Sequence, residues 1–328
     1  MKTVEEIVRE ARKARAATPD ERFVRMQNRF LSEIAEKGYF TVASPDPSLS
    51  DAPYSVLMHP LPHPGQENML HNHATFELAY VYRGSCRNLR QGYEVELRQG
   101  DLLLMNPDAI HCMCTDRDDD VVFNFLIPPS VLDNTFLRML ADNPISDFFI
   151  NYMYQSRTGP DFLIINGGAD DGLDNVIERL IIEYHEKRPG YQSVMQAGLV
   201  QLFVYMSRRY ADHLQDLPID ETSRLMRSIL LYIGKFTSTV TLAETARAFS
   251  YNEKYISRLI KREMGMSFTQ LVRRQRLQNA SELLLKTSMS VEEVAHEVGY
   301  LNLTHFYELF QDRYAMTPAA YRAARKLA

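Results

Sequence analysis

Two stretches of the C-terminal third resemble each other: TLAETARAFSYNEKYISRLIKREMGMSF at residues 241–268 and SVEEVAHEVGYLNLTHFYELFQDRYAMTP at residues 290–318. Their first halves are displaced by 49 residues and their second halves by 50, so the second copy carries one extra residue. A repeat in register indicates that one supersecondary unit occurs twice. The fold of this region therefore depends on what each copy forms.

Both copies begin with the sequence signature of a helix start. Thr241 and Ser290 are followed three residues later by Glu244 and Glu293, and each pair forms a capping box. A tight turn follows, and then a second helix with apolar residues along one side. Each copy therefore predicts a helix-turn-helix unit, whose second helix can lie in the major groove of DNA.

The segment between the copies predicts a long helix. Ser267-Phe268-Thr269-Gln270 caps it, and we expect it to run to about Lys286. Its nineteen residues at ~1.5 Å each give a rod of roughly 28 Å. Successive major grooves on one face of DNA recur every ~34 Å, so such a rod could hold two DNA-binding units in neighbouring grooves.

Composition and charge agree with a DNA-binding C-terminal third. The chain has 328 residues, of which 45% are hydrophobic and 24% charged, as in soluble globular proteins of two or three domains. Residues 222–328 carry 16 Lys+Arg against 9 Asp+Glu, whereas residues 1–221 carry 21 against 33. An acidic body with a basic C-terminal third indicates that only this third meets a polyanion.

Residues 225–325 resemble the DNA-binding domain of the AraC/XylS family of bacterial transcription regulators. The motifs that carry the resemblance are YISRLIK at 255–261, RLxxAxxLL at 276–284, VAxxVGY at 294–300, FxxxF at 306–310 and TPxxYR at 317–322. The resemblance implies double-stranded DNA and RNA polymerase as partners, and more often activation than repression. A protein-binding helical domain is the alternative, but it leaves the charge division and the 50-residue register unexplained.

The family contacts DNA through positions on its two recognition helices. They correspond here to Asn252, Lys254, Ser257, Arg258 and Lys261 in the first helix, and to Asn302, Leu303, Thr304, His305 and Glu308 in the second. Arg258 can bond O6 and N7 of guanine, which discriminates by ~1–3 kcal/mol, whereas Lys254 and Lys261 suit phosphates or guanine. We expect Asn252 and Asn302 to cap their helices rather than to contact bases.

The second copy departs from the family at two positions. Glu308 stands where a basic residue is usual, so it either accepts a hydrogen bond from cytosine N4 or weakens this unit. Ala315 stands where glycine is usual, and we expect the turn to form without a positive φ. Both departures predict that the second helix-turn-helix contributes less to DNA binding than the first.

The N-terminal part changes from helical to β-type periodicity. Residues 3–37 predict two helices, and residues 44–64 are proline-rich and loop-like. Residues 65–127 contain three β-type runs between glycine turns: FELAYVY, EVELRQGDLLLM and VVFNFLI. Several short strands at this spacing predict a small barrel or sandwich. FLII at 162–165 is a further short β-type run. Two amphipathic helices are predicted at 171–187 and 191–213, where they form a dimer interface or cover the barrel.

A second motif lies in the β-type region. Gly65, His71, His73, Glu77 and Gly84, followed by Gly100 and His111, have the spacing of the cupin barrel, although Thr115 replaces its usual Asn. Because alternate residues of a strand share a face, His71, His73 and Glu77 should point together, with His111 joining from another strand. Such a set hydrogen-bonds a polar effector, our preferred interpretation, or holds a divalent metal such as Zn, Fe, Mn, Ni or Cu. The pattern alone specifies no cofactor.

The predicted fold class is α+β and multidomain, with an N-terminal cupin-like β-barrel flanked by helices and a C-terminal, all-α double helix-turn-helix. We expect a helical extension at 1–40, a sensor barrel at 41–166, a helical dimerisation and linker region at 167–221, and a DNA-binding domain at 222–328. The segment 214–221 is the predicted linker.

The predicted function is sequence-specific transcription regulation, with activation favoured, controlled by a small polar, sugar-like effector bound in the barrel. The protein would then be a homodimer and not an enzyme. The alternative is a metal-dependent cupin enzyme, of isomerase or dioxygenase type, tethered to a helical domain. Three cysteines, an N-terminus without an apolar core and no apolar run of about 18 residues predict a cytoplasmic protein without a membrane segment.

Overall fold

The computed structural model divides the chain into two compact units. The first comprises Met1–Ser146 and Pro160–Asp216, and the second comprises Asp147–Gly159 and Leu217–Ala328. Within these bounds the structure describes residues 2–16, 36–42, 54–60, 62, 67, 69–90, 93–132, 134–140, 144–153, 160–168, 171–213 and 221–326. Among these residues, no helix combines the length and the apolar character that crossing a membrane requires. Most of the second predicted N-terminal helix and most of the predicted linker lie outside the described residues.

Among its described residues, the first unit contains ten strands. They are β1 Phe40–Val42, β2 Ser55–Met58, β3 His71–His73, β4 Phe76–Arg83, β5 Ser85–Arg90, β6 Tyr93–Arg98, β7 Leu102–Met105, β8 Cys112–Cys114, β9 Val121–Ile127 and β10 Phe162–Ile165. A five-stranded sheet has the order β10-β7-β4-β9-β2, a three-stranded sheet has the order β6-β5-β8, and β1 pairs with β3 in parallel. The strands predicted from the three β-type runs and from FLII are confirmed.

The core of this unit is formed by apolar residues from both larger sheets. Ala79 of β4 and Leu103 of β7 pack in one buried cluster with Cys86 of β5, Leu97 of β6 and Met113 of β8. Buried positions alternate with more exposed ones along β5 and β6, whereas β7 and β8 are buried at every position and β4 is buried from Phe76 to Val81. Hydrophobic burial in this cluster therefore holds β4, which carries Glu77, and β8, which directly follows His111.

The α+β class is confirmed, and the strands form separate sheets that do not close completely but are compatible with the predicted cupin-like barrel. One expectation about the β region needs correction. The predicted proline-rich loop also contains a strand, β2, which pairs with β9 from Ser55 opposite Leu126 to Met58 opposite Phe123. The prolines before and after this short run concealed it, because proline clusters normally indicate loops.

Helices complete the first unit. They are α1 Val4–Ala16, α2 Asn134–Met139, α3 Pro144–Met153, α4 Leu173–Glu186 and α5 Tyr191–His213; the residues of α3 from Asp147 onward belong to the second unit. The apolar stripes predicted on α4 and α5 are buried within the chain itself: Val176, Leu180, Tyr184, Met195, Leu199, Leu202 and Met206. Of the two alternatives for these stripes, burial within the subunit is therefore the one that the structure favours.

The second unit contains the predicted repeat. Its helices are α6 Glu221–Lys235, α7 Leu242–Ala248, α8 Glu253–Met264, α9 Phe268–Lys286, α10 Val291–Glu297, α11 Leu303–Tyr314 and α12 Pro318–Lys326. The capping boxes of Thr241, Ser267 and Ser290 are all present, and the connecting helix α9 ends at Lys286 as predicted. We call α7–α8 the first hairpin and α10–α11 the second hairpin.

The end of α11 corrects one expectation. Ala315 has φ 55° and ψ 18°, so it adopts the left-handed conformation despite its Cβ, as Gly265 does at the end of α8 with φ 67°. Its backbone N–H donates to the carbonyl of Gln311 at 2.8 Å, which closes the last turn. This hydrogen bond accompanies a conformation that an alanine adopts less readily than a glycine.

A single arginine connects the two hairpins. Arg276 of α9 donates to the carbonyls of Thr237 at 2.9 Å and Ser238 at 2.8 Å, just before the first hairpin, and to that of Gly299 at 2.9 Å, in the turn of the second. Gly299 has φ 91°, and a Cβ there would lie 2.3 Å from the carbonyl oxygen of Ser238. Glycine is therefore required where the second turn approaches the first hairpin.

Candidate functional site

Three separate segments bring the predicted histidines and the glutamate together. The backbones of His71 and His111 exchange two hydrogen bonds, of 2.8 and 2.9 Å, and form an antiparallel bridge. His73 ends β3, and Glu77 lies in β4 after a bend at residues 74–75. The predicted continuous strand is thus interrupted, yet all four side chains meet.

The four side chains are closely packed and largely buried. His73 Nε2 lies 2.6 Å and His111 Nε2 lies 3.3 Å from Glu77 Oε2. The ring centroid of His71 lies 4.7 Å from those of both His73 and His111. Glu77 and His111 are only 2% and 1% exposed, so these polar groups interact in surroundings where water screens them poorly.

Backbone carbonyls orient two of the imidazoles. Nδ1 of His71 lies 2.8 Å from the carbonyl oxygen of Met69, and Nδ1 of His111 lies 3.1 Å from that of Ala109. Since a carbonyl can only accept, Nδ1 carries a hydrogen in both rings; in His71, whose ring is neutral, Nε2 keeps its lone pair. This arrangement fixes the tautomer that a metal or a hydrogen-bond donor needs.

Burial and mutual proximity shift the pKa values of this cluster. Burial, together with His111 and His73, lowers the pKa of His71 to about 3, so its ring is neutral at neutral pH. Burial alone would raise the pKa of Glu77, but the charge of His73 and hydrogen bonds from His111 and His73 hold it well below its usual range. The site therefore combines a neutral imidazole with a carboxylate that remains ionised.

The donor set fits two kinds of occupant. One nitrogen from each of His71, His73 and His111 lies within 4.8 Å of the others, as ligands around one metal ion would. Neutral imidazoles and a carboxylate are the ligands that divalent transition metals prefer, so the residues fit a metal. The same lone pairs and the Glu77 carboxylate can instead accept hydrogen bonds from the hydroxyls of a polar molecule.

The cysteines near the site are buried thiols. Cys112 and Cys114 follow His111 in β8, and their sulfurs lie 3.7 Å apart within an apolar cluster that includes Phe40 and Met69. The hydrogen bond to Cys114 and burial raise the pKa of Cys112, and burial raises the pKa of Cys86 to about 12. Cys112 and Cys86 are therefore protonated at neutral pH and pack as small apolar groups.

The second candidate site consists of the recognition helices, α8 and α11. The ten predicted positions lie on their solvent-facing sides; nine are exposed and Ser257 is half-buried. Ile256 and Ile260 of α8, like Phe306 and Phe310 of α11, are buried on the opposite side. Each helix thus anchors an apolar face in its own hairpin and leaves a polar face for a partner.

Both predicted asparagine caps are present. Asn252 accepts a hydrogen bond from the backbone N–H of Tyr255 at 2.8 Å, and Asn302 accepts one from that of His305 at 3.1 Å. The side-chain oxygens of both asparagines are therefore engaged by their own helices. This supports the expectation that they position the helices rather than contact bases.

The structure also reveals exposed apolar groups that the sequence interpretation did not single out. Tyr251 and Tyr255 stack at the start of α8, with ring centroids 4.6 Å apart and an interplanar angle of 16°. Leu301, just before α11, is 87% exposed. The signal that could have identified Leu301 is the repeat itself, because this leucine is the extra residue of the second copy.

Comparisons with known proteins agree with this organisation. A helix-turn-helix domain model matches residues 245–324, and a model of the AraC-like ligand binding domain matches residues 61–203. The HTH-type transcriptional regulator YfiF of Bacillus subtilis is 23% identical over 268 residues, which cover 79% of this chain and 80% of YfiF. The HTH-type transcriptional activator RhaR of Mannheimia succiniciproducens is 24% identical over 194 residues, which cover 58% of this chain and 68% of RhaR.

Among solved structures, the C-terminal domain of AraT, a response regulator from Geobacillus stearothermophilus, is 34% identical. The match covers 32% of this chain and 88% of that domain, with a TM-score of 0.30. The matched domains and relatives describe DNA-binding regulators rather than enzymes. With a ligand-binding domain before a double helix-turn-helix, the chain belongs to the AraC/XylS family of transcription regulators.

Proposed function

We propose that a small polar effector, sugar-like in its hydroxyl groups, binds between His71, His73, Glu77 and His111 and controls DNA binding. The observation that carries this proposal is the convergence of these four side chains from three segments of the chain. Buried ionisable groups are costly to desolvate, and clusters with shifted pKa values concentrate at functional sites. An effector can act only through a difference in affinity for two states of the protein.

We place operator recognition on the exposed faces of α8 and α11. The residues proposed to contact DNA are Asn252, Lys254, Ser257, Arg258, Lys261, Asn302, Leu303, Thr304, His305 and Glu308. Their exposure and the excess of basic residues after residue 221 support this assignment. The forked guanidinium group of Arg258 suits guanine, while the ammonium groups of Lys254 and Lys261 suit phosphates.

The remaining proposals concern assembly and location. The name of the relative RhaR, a transcriptional activator, supports activation, and RNA polymerase is the partner that the family resemblance implies. A homodimer would use a surface other than the apolar stripes of α4 and α5, because these are buried within the subunit. Cys86, Cys112 and Cys114 are buried as thiols, which supports a cytoplasmic location. We retain 1–40, 41–166, 167–221 and 222–328 as the proposed domain borders.

A divalent transition metal is the second candidate occupant of the histidine cluster. The observation in its favour is the set of three imidazole nitrogens within 4.8 Å of one another. A bound metal would supply a positive centre for an oxygen atom of an effector. His71, His73, His111 and Glu77 would hold it, and the carbonyls of Met69 and Ala109 would keep two of the rings oriented.

The test begins with genome-wide footprinting of the intact protein, because the genes beside its sites indicate the chemical class of the effector. Compounds of that class are then titrated into the full-length chain while its affinity for a footprinted site is measured. We expect His73→Ala and Glu77→Ala to lose the effector-dependent change in affinity. Glu94→Ala, which removes an exposed glutamate of β6, is the matched control and should respond like the wild type. An unchanged response in both site variants would move the effector site elsewhere.

A further inference from the structure

The second hairpin contains one residue that the first lacks, and the hydrogen bonds locate it. In the turns, the backbone N–H of Tyr251 donates to Ala246 at 2.9 Å and that of Tyr300 donates to Ala295 at 2.8 Å, which pairs residues 49 apart. At the caps, Asn252 and Asn302 are 50 apart. The extra residue is therefore Leu301, between the turn and the cap.

This extra residue contributes little to the packing of its own hairpin. Tyr300 already fills the core position and is only 9% exposed, whereas Leu301 is 87% exposed. Leu303, the first residue of α11, is also exposed, at 36%. Single exposed leucines are ordinary, but two at the tip of one recognition helix form an apolar group in water beside the proposed base contacts.

The neighbouring side chains define what this tip can recognise. The positions of Lys254 and Arg258 in the first hairpin are occupied by Thr304 and Glu308 in the second, and residues 301–308 include no Lys or Arg. Residues 301–308, around the start of α11, thus lack an arginine, whose guanidinium group can bond both O6 and N7 of guanine. Thymine, by contrast, presents a methyl group in the major groove, which is the natural contact for an apolar side chain.

We propose that Leu301 and Leu303 contact thymine methyl groups, so that the second hairpin selects thymine where the first selects guanine. The inference rests on the proposed role of α8 and α11 in operator recognition. It follows the docking rule that residues at the start of a recognition helix meet the base edges. It also explains the inserted residue, because the insertion places an apolar side chain just before the first turn of α11.

The test uses DNA that differs only in methyl groups. Binding sites are first selected from random duplexes with the full-length chain, and each thymine is then replaced in turn by deoxyuridine, which keeps the base pair and removes the methyl. We expect one or two thymines, confined to one half-site, at which the replacement weakens wild-type binding about fourfold. This factor corresponds to ~0.8 kcal/mol for one buried methyl-sized group.

The variants Leu301→Ala and Leu303→Ala should bind the thymine site more weakly and lose the sensitivity to deoxyuridine. Leu285→Ala removes a leucine of α9 that is 39% exposed, so it is the matched control and should keep the wild-type sensitivity. The high exposure of Leu301 means that its variant should unfold at the wild-type temperature.

Three results would overturn the inference. One is a wild-type chain that tolerates deoxyuridine at every position while Arg258→Ala still changes base preference; this would leave the proposed function intact. Another is deoxyuridine sensitivity that persists in both leucine variants. The third is a Leu301→Ala chain with unchanged DNA binding but weaker transcription by purified RNA polymerase, which would assign the tip to a protein partner. A failure to select any sequence would instead refute operator recognition as a whole.

Discussion

The side-chain oxygen of Asn252 accepts the backbone N–H of Tyr255 at 2.8 Å and thereby fixes the start of the first recognition helix. We expect Asn252→Ala to lower the stability of the second unit by ~1 kcal/mol and to weaken binding to all DNA sequences similarly. Calorimetry of the full-length chain and affinity measurements on several sites test this. Asn252→Ser, which keeps a capping oxygen, should restore both properties; a loss of preference at one base pair would show that Asn252 contacts a base.

Arg258 and Lys261 should differ in what they contribute. Arg258→Ala removes a candidate guanine contact, so it should relax preference at one base position by ~1–3 kcal/mol. Lys261→Ala removes a candidate phosphate contact, so it should weaken all sequences and reduce the salt slope by about one. Site selection with each variant measures the difference, and identical preferences and affinities for the wild type and both variants would contradict the assignment.

The basic C-terminal segment should bind DNA by itself. Residues 222–328 carry the net positive charge, and each phosphate contact adds about 0.9 to the slope of log affinity against log salt. We therefore expect steep weakening between low and physiological salt, measured by fluorescence anisotropy with the full-length chain as the reference. A flat salt response would rule out phosphate contacts as a major source of affinity.

Chelation separates the two proposed occupants of the histidine cluster. If the effector itself engages His71 and its neighbours, a chelator should leave the effector-dependent change in DNA affinity unaltered. Elemental mass spectrometry on the same samples reports the metal content before and after treatment. Stoichiometric metal that is lost together with the response, and absent from His71→Ala, would assign the site to a metal.

An ion pair between Asp171 and Arg209 should stabilise the first unit in a pH-dependent way. Arg209 is only 3% exposed, and its Nε and Nη2 donate to the two carboxylate oxygens of Asp171 at 2.9 and 2.6 Å. The hydrogen bond from Arg209 lowers the pKa of Asp171, so its contribution is complete above the unfolded pKa of about 4 and is lost as pH falls through the lower folded value.

We expect Asp171→Asn to destabilise the first unit by ~1–3 kcal/mol at neutral pH, and the difference from the wild type to shrink below about pH 4. Thermal unfolding across this pH range measures it. Asp119→Asn, at an exposed carboxylate beside Arg117, is the control and should change stability by less than ~1 kcal/mol. A difference that is independent of pH would show that the ionised carboxylate is not the stabilising group.

The parts of the fold that the sequence predicted are those governed by local hydrogen bonds. A capping box involves residues three apart, so Thr241, Ser267 and Ser290 mark helix starts that the structure confirms. The parallel pairing of β1 with β3 depends on segments about thirty residues apart in sequence, and no local pattern specifies it. The same applies to β2, whose partner is β9.

At the candidate sites too, the local sequence pattern predicted some features, whereas long-range contacts determine others. The periodicity of α8 and α11 predicted which side faces outward, because their buried residues recur at helical spacing. At the histidine cluster, the resemblance predicted that His111 would join His71, but the backbone bridge that brings them together and the bend at residues 74–75 could not be foreseen. The left-handed Ala315 shows that surrounding structure can override a residue's own preference.

The three hydrogen bonds of Arg276 bear on how target promoters can evolve. This side chain joins the segment just before the first hairpin to the turn of the second, and it thereby opposes independent movement of the two recognition helices. Inserting one base pair between their half-sites would rotate one groove by roughly 35° about the duplex axis. In promoters that remain under the control of this regulator, the bases of the half-sites should therefore change by substitution, while the number of base pairs between the half-sites stays constant.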